Sequence, residues 1–337
     1  MNGTDSRYAP YALVREMLET PRVVRGFPVE RALDHAPKTT SVFLTGEGSS
    51  RIFPAKHARV QGLRRGDRVR VELEGGEQAG EYPFTGVHLY AASNSGRTAE
   101  IVRLIEQVAA RPSGGPERST AVVATAGSPI GRICDEEFVL TCGPEEAVAA
   151  TKSVIEQAFF YDVVFRFAAG VEQVDPDALA DAMEDVLTAP IDSRIVGLTR
   201  GGGRVYFAGR NDGVAEELAL KTNEITRRDS AFLEGTYAVH GVEEVMTSRD
   251  VVVVVDPFEA EEEKLHEVLV RGVGLNLVAI ASRDTRFPTI RVPPVPGGSA
   301  YVQLLAGWNL LVEMGIDGGV NLDKPVRARK VGNEFVG

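Results

Sequence analysis

The stretch ASNSGRTAE at residues 92–100 lies between an apolar run and an amphipathic run. Its hydroxyl and amide side chains are Ser93, Asn94, Ser95 and Thr98. Where a strand gives way to a helix, the first backbone N–H groups of the helix are free and carry partial positive charge. Hydroxyl donors and a glycine beside them would suit a bound phosphate, and a simple helix cap explains this stretch alone equally well.

A second loop of similar composition favours the anion site. The stretch TGEGSSRIF at residues 45–53 also follows a predicted strand, and it carries Ser49 and Ser50. In an open parallel sheet, the loops at the carboxyl ends of neighbouring strands face one crevice. The two loops together therefore predict a cradle for the phosphate of a sugar phosphate.

A predicted helix in the second half, NDGVAEELALKTNEITRR (211–228), carries a row of charged side chains. Glu217, Lys221 and Glu224 fall at positions i, i+4 and i+7, which share one stripe of a helix. Such a row is typical of an exposed, ion-paired helix face, and it would also suit a carboxylate base held beside a cation. Asp212 is predicted to cap the start of this helix.

Two more side chains are candidates for proton transfer or charge stabilisation. His240 lies between two glycines in GTYAVHGVEE, an irregular stretch sixteen residues after Glu224. The chain ends in the polar, basic segment NLDKPVRARKVGNEFVG, which contains Lys330. A frayed end is the usual fate of a terminus, but Lys330 could also reach a site from a flexible segment.

The elements that must position these residues follow an α/β pattern, because short apolar runs alternate with longer helical ones. The predicted strands are 41–46, 87–92, 120–126 and 137–142 in the first half, and 204–209, 250–256, 276–282 and 289–294 in the second. Runs such as DVVVVVD are apolar throughout, which indicates strands covered on both faces, as in parallel sheets.

The two halves match in order, which indicates an internal duplication of two doubly wound domains joined near residues 171–195. The loop of the second half that corresponds to the serine-rich stretch is DPFEAEEE, which is acidic and unsuited to phosphate. One copy therefore keeps the predicted anion site, and the other lacks it.

The composition argues against several classes of protein. The chain has 337 residues, 43% of them hydrophobic and 25% charged, as expected of a soluble globular protein with two domains. A net charge of −11 argues against a nucleic-acid partner. We expect no membrane span, no secretory signal and no metal site, and the two cysteines, Cys134 and Cys142, suit a reducing cytoplasm.

These segments together resemble the double-SIS (sugar isomerase) family, in particular the isomerase half of glucosamine-6-phosphate synthase and the free-standing archaeal-type glucosamine-6-phosphate deaminases. The family's S-x-S-G-x-T, G-[TS]-S, E-x-A-L-K-x-x-E and D-x-P-x-x-x-x-K motifs are matched by residues 93–98, 48–50, 217–224 and 323–330. The loop histidine falls at His240 with the family's spacing from Glu224.

The resemblance implies an α/β fold of two tandem doubly wound parallel-sheet domains of the flavodoxin-like SIS type, with a short C-terminal tail. The expected parts are an N-terminal helical segment at 1–40, a first SIS domain with the phosphosugar loops at 41–180, a second SIS domain at 181–318 and an active-site tail at 319–337.

The resemblance also implies a phosphosugar aldose–ketose isomerase or deaminase, which acts on a 6-phospho (amino) sugar such as glucosamine 6-phosphate or fructose 6-phosphate. Glu224 would move the proton between C1 and C2, His240 would open the ring, and Lys330 would close over the substrate. The implied substrate contacts are Ser49, Ser50, Ser93, Asn94, Ser95, Thr98, Thr151, Glu217 and Lys221. No cofactor is expected, because the substrate carbonyl itself acidifies the C–H bond.

A homodimer is implied as well, since in similar enzymes the histidine comes from the neighbouring subunit. Three positions depart from the family pattern: Ala150, where a serine is common, Val242, where a proline is common, and Tyr237, where a glutamate is common. No glutaminase domain is expected before the first SIS copy. A non-catalytic sugar-phosphate sensor and a phospho-glycosylamine deglycase remain alternatives.

Overall fold

The structure, a computed structural model, describes residues 1–327 and contains two parallel sheets of five strands each. The strands of the first sheet are β1 (Ser41–Thr45), β2 (Arg70–Glu74), β3 (His88–Ser93), β4 (Arg118–Val123) and β5 (Glu136–Val139). Those of the second are β6 (Val205–Gly209), β7 (Ser230–Glu234), β8 (Val251–Val255), β9 (Asn276–Ala281) and β10 (Thr289–Arg291).

Both sheets have the same strand order. The first runs β2-β1-β3-β4-β5 and the second β7-β6-β8-β9-β10, so that each follows the order 2-1-3-4-5 of flavodoxin-like folds. Every strand pair within them is parallel. The predicted α/β class with two doubly wound sheets is confirmed, and the repeated order supports the predicted duplication.

Helices flank each sheet, as parallel connections require. They are α1 (Ala12–Arg25), α2 (Val29–Leu33), α3 (Ile52–Arg65), α4 (Gly76–Ala79), α5 (Ala99–Ala109), α6 (Pro129–Ile133), α7 (Lys152–Ala169), α8 (Pro176–Thr188), α9 (Ser193–Leu198), α10 (Val214–Thr226), α11 (Glu262–Leu265, continued by a π-helical segment His266–Val273) and α12 (Ser299–Asp317).

The described chain divides into two compact units, each with its own core. The first-sheet unit comprises residues 22–145 and 150–177, and the second-sheet unit comprises residues 1–21, 146–149 and 178–327. In the second, α12 packs against α10 so closely that a Cβ on Gly307 would lie 2.4 Å from a methyl carbon of Leu218. This close approach fixes α10, the helix that carries the predicted charged row.

Two strands were not predicted from the sequence. β2 (RVELE) lies at one edge of the first sheet, and β7 (SAFLE) lies at one edge of the second. In each of them a single residue is buried, Val71 in β2 and Leu233 in β7. Edge strands of this kind lack the continuous apolar run by which the central strands are recognised.

No helix within residues 1–327 is long and apolar enough to cross a bilayer.

Neither cysteine is placed for chemistry. Cys134 and Cys142 are both free and buried. Burial raises the pKa of the Cys134 thiol to about 12. Because the thiolate is the nucleophilic form, this thiol is inert near neutral pH.

Candidate functional site

The serine loop, residues 93–98, leaves the carboxyl end of β3 and opens α5. Ser93 is buried; its hydroxyl lies 2.8 Å from the hydroxyl of Thr98 and accepts a hydrogen bond of 3.1 Å from the backbone N–H of Gly96. Thr98 is the N-cap residue of α5, but its side chain does not cap the helix. The partial positive charge at the start of α5 therefore faces the loop without a side-chain cap from Thr98.

The loop is held in one conformation. Gly96 has φ +64°, and a Cβ there would lie 2.1 Å from the hydroxyl oxygen of Ser128, so only glycine fits. The carbonyl of Asn94 accepts a hydrogen bond of 2.9 Å from the N–H of Ala124, and that of Gly96 accepts one of 3.3 Å from Ile130. These contacts preorganise the backbone N–H groups of the loop.

The second predicted loop lies beside the first. It forms a 3₁₀ turn at Gly48–Ser50 after β1, and β1 is the parallel neighbour of β3. A Cβ on Gly46 would lie 3.1 Å from the carbonyl oxygen of Ala92, so the two loops approach at one edge of the sheet. Ser49 is buried and Ser50 is half-buried. The structure thus brings together the two loops predicted to form a phosphate cradle.

A carboxylate that sequence reasoning missed lies beside this cradle. Glu145 is 7% exposed, and it precedes α7. Its carboxylate accepts hydrogen bonds from the N–H of Thr151 at 2.7 Å, from the hydroxyl of Thr151 at 3.2 Å and from the hydroxyl of Ser153 at 2.7 Å. It also accepts one from the side-chain amide of Asn94. Glu145 therefore ties the serine loop to the start of α7.

Two predicted substrate contacts thus have a protein partner. The side chains of Asn94 and Thr151 both donate to Glu145, and the amide of Asn94 donates to Ser153 at 2.9 Å as well. Hydrogen bonds to an ionised, buried carboxylate are among the stronger ones in proteins. The roles of Asn94 and Thr151 as phosphate contacts stay predictions, and both residues have a structural role at the cradle.

The predicted charged row lies on α10. The N-cap residue of this helix is Gly213 and not the predicted Asp212, whose carboxylate accepts a hydrogen bond of 3.2 Å from the N–H of Val214. The ammonium of Lys221 lies 3.4 Å from a carboxylate oxygen of Glu217 and 2.8 Å from one of Glu224. The side chains of Glu217 and Lys221 are 0% and 1% exposed, whereas that of Glu224 is 25% exposed. The row is therefore not a solvent-exposed helix face: it is a buried ion pair that ends in an accessible carboxylate.

Glu224 borders a cavity of about 420 Å³ in the second-sheet unit. The residues that line the cavity are Asn223, Glu224, Arg227, Pro325, Val326 and Arg327. A cavity of this volume is within the range of small-molecule sites. The partly exposed side chain of Glu224 is thus placed where a small ligand could reach it.

His240 lies on the surface of the same unit. It follows a short 3₁₀ turn at Tyr237–Val239, and its backbone N–H donates to the carbonyl of Tyr237 at 3.2 Å. The residue is exposed, and within residues 1–327 its imidazole makes no hydrogen bond. Within residues 1–327, no hydrogen bond or ion pair joins the side chains of His240 and Glu224.

The start of the tail is anchored in the second-sheet unit. The carboxylate of Asp323 accepts hydrogen bonds from the N–H groups of Ala12 at 2.8 Å and of Leu13 at 2.9 Å, at the start of α1. Leu322 is 3% exposed. Asp323 of the tail motif therefore caps a helix, while Lys330 lies outside the described residues.

No protein-family model matches the chain, but individual proteins do. The chain is 26% identical over 259 residues to a glutamine–fructose-6-phosphate aminotransferase (isomerizing) of Aeropyrum pernix. This match covers 67% of the chain and 41% of that protein. The chain is 24% identical to the Clostridium acetobutylicum protein of the same name, over 96% of this chain and 59% of that protein. The chain thus spans about half the length of the curated relatives it matches.

Solved structures match over nearly the whole chain. The C-terminal domain of glucosamine-fructose-6-phosphate aminotransferase from Francisella tularensis has a TM-score of 0.73 at 18% identity, and covers 94% of this chain and 98% of its own. The chain has the double-SIS fold. Two further solved structures match this double-SIS chain. Tagatose-6-phosphate ketose/aldose isomerase from Escherichia coli has a TM-score of 0.75 at 17% identity, and the match covers 96% of this chain and 98% of that one. Glucosamine-6-phosphate deaminase from Thermotoga maritima has a TM-score of 0.71 at 16% identity, and the match covers 95% of this chain and 97% of that one.

The two SIS units differ at the loop after their third strand. In the second unit this loop is DPFEAEEE, residues 256–263, which follows β8. The carboxylate of Asp256 forms an ion pair of 2.6 Å with Arg210. The acidic loop offers no hydroxyl cradle, in agreement with the asymmetry that the sequence indicates.

The second SIS unit also contains a cluster with metal-ligand types, Glu263, His266 and Glu267, whose ligand atoms lie within 4.8 Å of one another. Glu263 pairs with Arg286 at 2.7 Å and Glu267 with Arg271 at 2.9 Å. Since an arginine already neutralises each carboxylate, the cluster is an ion-pair network at the surface.

Proposed function

We propose that this double-SIS protein is a phosphosugar aldose–ketose isomerase or deaminase. Its substrate would be a 6-phospho (amino) sugar such as glucosamine 6-phosphate or fructose 6-phosphate, and the reaction a proton transfer between C1 and C2. The observation that carries the proposal is the accessible carboxylate of Glu224 at a cavity, backed by the buried pair of Lys221 and Glu217. A protein that only binds a sugar phosphate needs no such base.

The similar proteins support the same class of chemistry. The relatives are named as isomerizing aminotransferases of fructose 6-phosphate, and the solved structures include a ketose/aldose isomerase and a deaminase of 6-phosphosugars. All of these names concern a carbonyl or an amino group at C1 or C2 of a 6-phosphosugar. A base that moves one proton between C1 and C2 would serve the reaction of each of these proteins.

In the proposed mechanism, Glu224 takes a proton from the carbon next to the substrate carbonyl and returns it to the neighbouring carbon. A carboxylate suits this work if it is held in place and can reach the substrate. Lys221 holds one oxygen of Glu224 at 2.8 Å, while Glu217 balances the charge of the buried ammonium. The ion pair thus orients the base at the cavity.

The remaining parts follow from the motif positions. The serine loop and the turn at Gly48–Ser50 would bind the phosphate through backbone N–H groups and the hydroxyls of Ser49, Ser50, Ser93, Ser95 and Thr98. His240 would open the sugar ring from the neighbouring subunit of a homodimer, a role that its exposure allows. Lys330 would stabilise the charge of the enediolate.

The proposal is tested by incubating the full chain with glucosamine 6-phosphate, fructose 6-phosphate and tagatose 6-phosphate, and following the products by NMR and by ammonia release. We expect at least one of these compounds to be converted. If the compounds raise the thermal midpoint of unfolding but none is converted, the proposed isomerase or deaminase activity is wrong.

A further inference from the structure

The cavity at Glu224 has two walls that come from different parts of the second SIS unit. One wall is the end of α10, and the other is the start of the tail, at residues 325–327. Within residues 1–327, these three tail residues make no hydrogen bond, and Val326 is 91% exposed. The position of the tail wall therefore depends on how the residues before it are held.

The turn at residues 321–323, directly before the tail wall, is anchored to α10 and α12. Arg227 ends α10 in the left-handed conformation, with φ 60°, and its Nη2 donates a hydrogen bond of 3.0 Å to the carbonyl of Asn321. Leu322 is 3% exposed and packs on α12, where a Cβ on Gly315 would lie 2.5 Å from a methyl carbon of Leu322. The side-chain oxygen of Asn321 accepts a hydrogen bond of 3.1 Å from the N–H of Asp323, which closes the turn.

Asp323 anchors the turn to a third helix, α1. Its two carboxylate oxygens accept hydrogen bonds from the N–H groups of Ala12 at 2.8 Å and of Leu13 at 2.9 Å. Both donors belong to the free N–H groups at the start of α1, where a carboxylate is favoured. The residue before α1 is Tyr11, which is not a capping type. The cap of α1 therefore comes from the tail.

We propose that Asp323 is a positioning residue for the proposed reaction. By bonding to the start of α1, it sets where residues 325–327 lie against Glu224, the proposed base. Asp323 itself contacts no substrate and acts through the tail wall. The inference rests on the proposed function, because a displaced wall matters only if the cavity holds a reacting ligand. Proton transfer is sensitive to such a displacement, since a shift of about 1 Å can cost a factor of about 100 in rate.

A role in stability alone makes a different prediction. If Asp323 only caps α1, a new cap on this helix would compensate fully for its loss. If Asp323 positions the tail, the new cap would restore stability and leave the activity low. Tyr11→Asp supplies such a cap from the residue that precedes α1. The double variant Tyr11→Asp/Asp323→Ala therefore separates the two roles.

The test measures Tm, the kcat for a converted 6-phosphosugar and the affinity for inorganic phosphate by calorimetry. Asp323→Ala should lower Tm by about 2–4 °C, as the loss of a helix cap does. Tyr11→Asp/Asp323→Ala should recover most of this loss, and in both variants kcat should be at least about 10-fold below that of the wild type. The affinity for phosphate, which we assign to the first SIS unit, should not change. Tyr11→Asp alone should keep the wild-type kcat.

A second variant disturbs the same turn from α12. In Gly315→Ala the added methyl group would press on Leu322, although alanine is the better helix former. Its kcat should fall as well. The matched control is Asp192→Ala, because the carboxylate of Asp192 caps α9 of the same unit through the N–H of Arg194 at 2.8 Å. This control should lower Tm and leave kcat unchanged.

The outcomes separate this inference from the proposed function. Wild-type kcat in Tyr11→Asp/Asp323→Ala would overturn the inference while the proposed function stands, and so would a loss of phosphate affinity in proportion to kcat. If Tyr11→Asp does not restore the Tm, Gly315→Ala decides, and wild-type kcat in that variant would overturn the inference. If the wild type converts no 6-phosphosugar, the proposed function is wrong and the inference fails with it.

Discussion

At the scale of single residues, burial separates the roles of three side chains that share one helical row. Glu217 and Glu224 are the same residue type on the same stripe of α10, each within reach of Lys221. Glu217 is fully buried, so its charge can only balance that of Lys221, whereas the side chain of Glu224 is accessible. The spacing predicts the row, and only packing shows which carboxylate can meet a substrate.

Glu145 carries a prediction about stability. Glu145→Ala would leave the N–H and hydroxyl of Thr151, the hydroxyl of Ser153 and the amide of Asn94 without their acceptor. We expect a loss of about 3 kcal/mol, seen as a drop of several degrees in Tm, because buried donors would lose a charged partner. Glu145→Gln keeps one carbonyl oxygen and should lose less.

The matched control is Glu146→Ala, since the side chain of the neighbouring glutamate is 75% exposed and its ion pair with Arg15 lies at the surface. Its Tm should stay close to that of the wild type. A Glu145→Ala variant as stable as the Glu146 variant would show that Glu145 does not tie the serine loop to α7.

At the scale of elements, the sequence predicts the central strands and the loops that follow them, because their apolar runs are continuous. It does not predict β2 and β7, since edge strands with one buried residue each resemble polar loops. The neighbouring positions of the serine loop and the turn at Gly48–Ser50 follow from the predicted order of parallel strands. This part of the candidate site was therefore accessible to sequence reasoning.

Other features of the site depend on contacts or backbone angles that no local pattern encodes. Glu145 meets Asn94 across 51 residues of chain, and nothing in either stretch indicates the pair. Arg227 continues a helical pattern, and its left-handed conformation is visible only in the structure. A basic residue where a helix-terminating glycine is common was the one available signal.

At the scale of the whole molecule, duplication supplies two sheets of the same strand order that differ in one loop. The serine loop of the first unit and the acidic loop of the second occupy the same topological position. The hydroxyls are therefore not required by the fold, which favours a functional reason for them. The proposed base, Glu224, belongs to the second unit.

The proposed homodimer with shared sites predicts complementation between inactive variants. Co-expression of Glu224→Gln and His240→Ala chains should restore roughly a quarter of wild-type activity, because half of the dimers are mixed and each mixed dimer holds one intact site. Each variant alone should be inactive. A mixture without activity would show that His240 and Glu224 act within one subunit.

The central claim, that Glu224 is the base, is tested by hydrogen exchange in D₂O. NMR measures the rate at which the hydrogen at C1 or C2 of the substrate is replaced by deuterium. The wild type should incorporate deuterium into a converted 6-phosphosugar, and so should Glu216→Gln, a matched change on the same helix. Glu224→Gln should exchange at least about 100-fold more slowly while the sugar phosphate still raises its Tm. Exchange at the wild-type rate in Glu224→Gln would contradict the assignment.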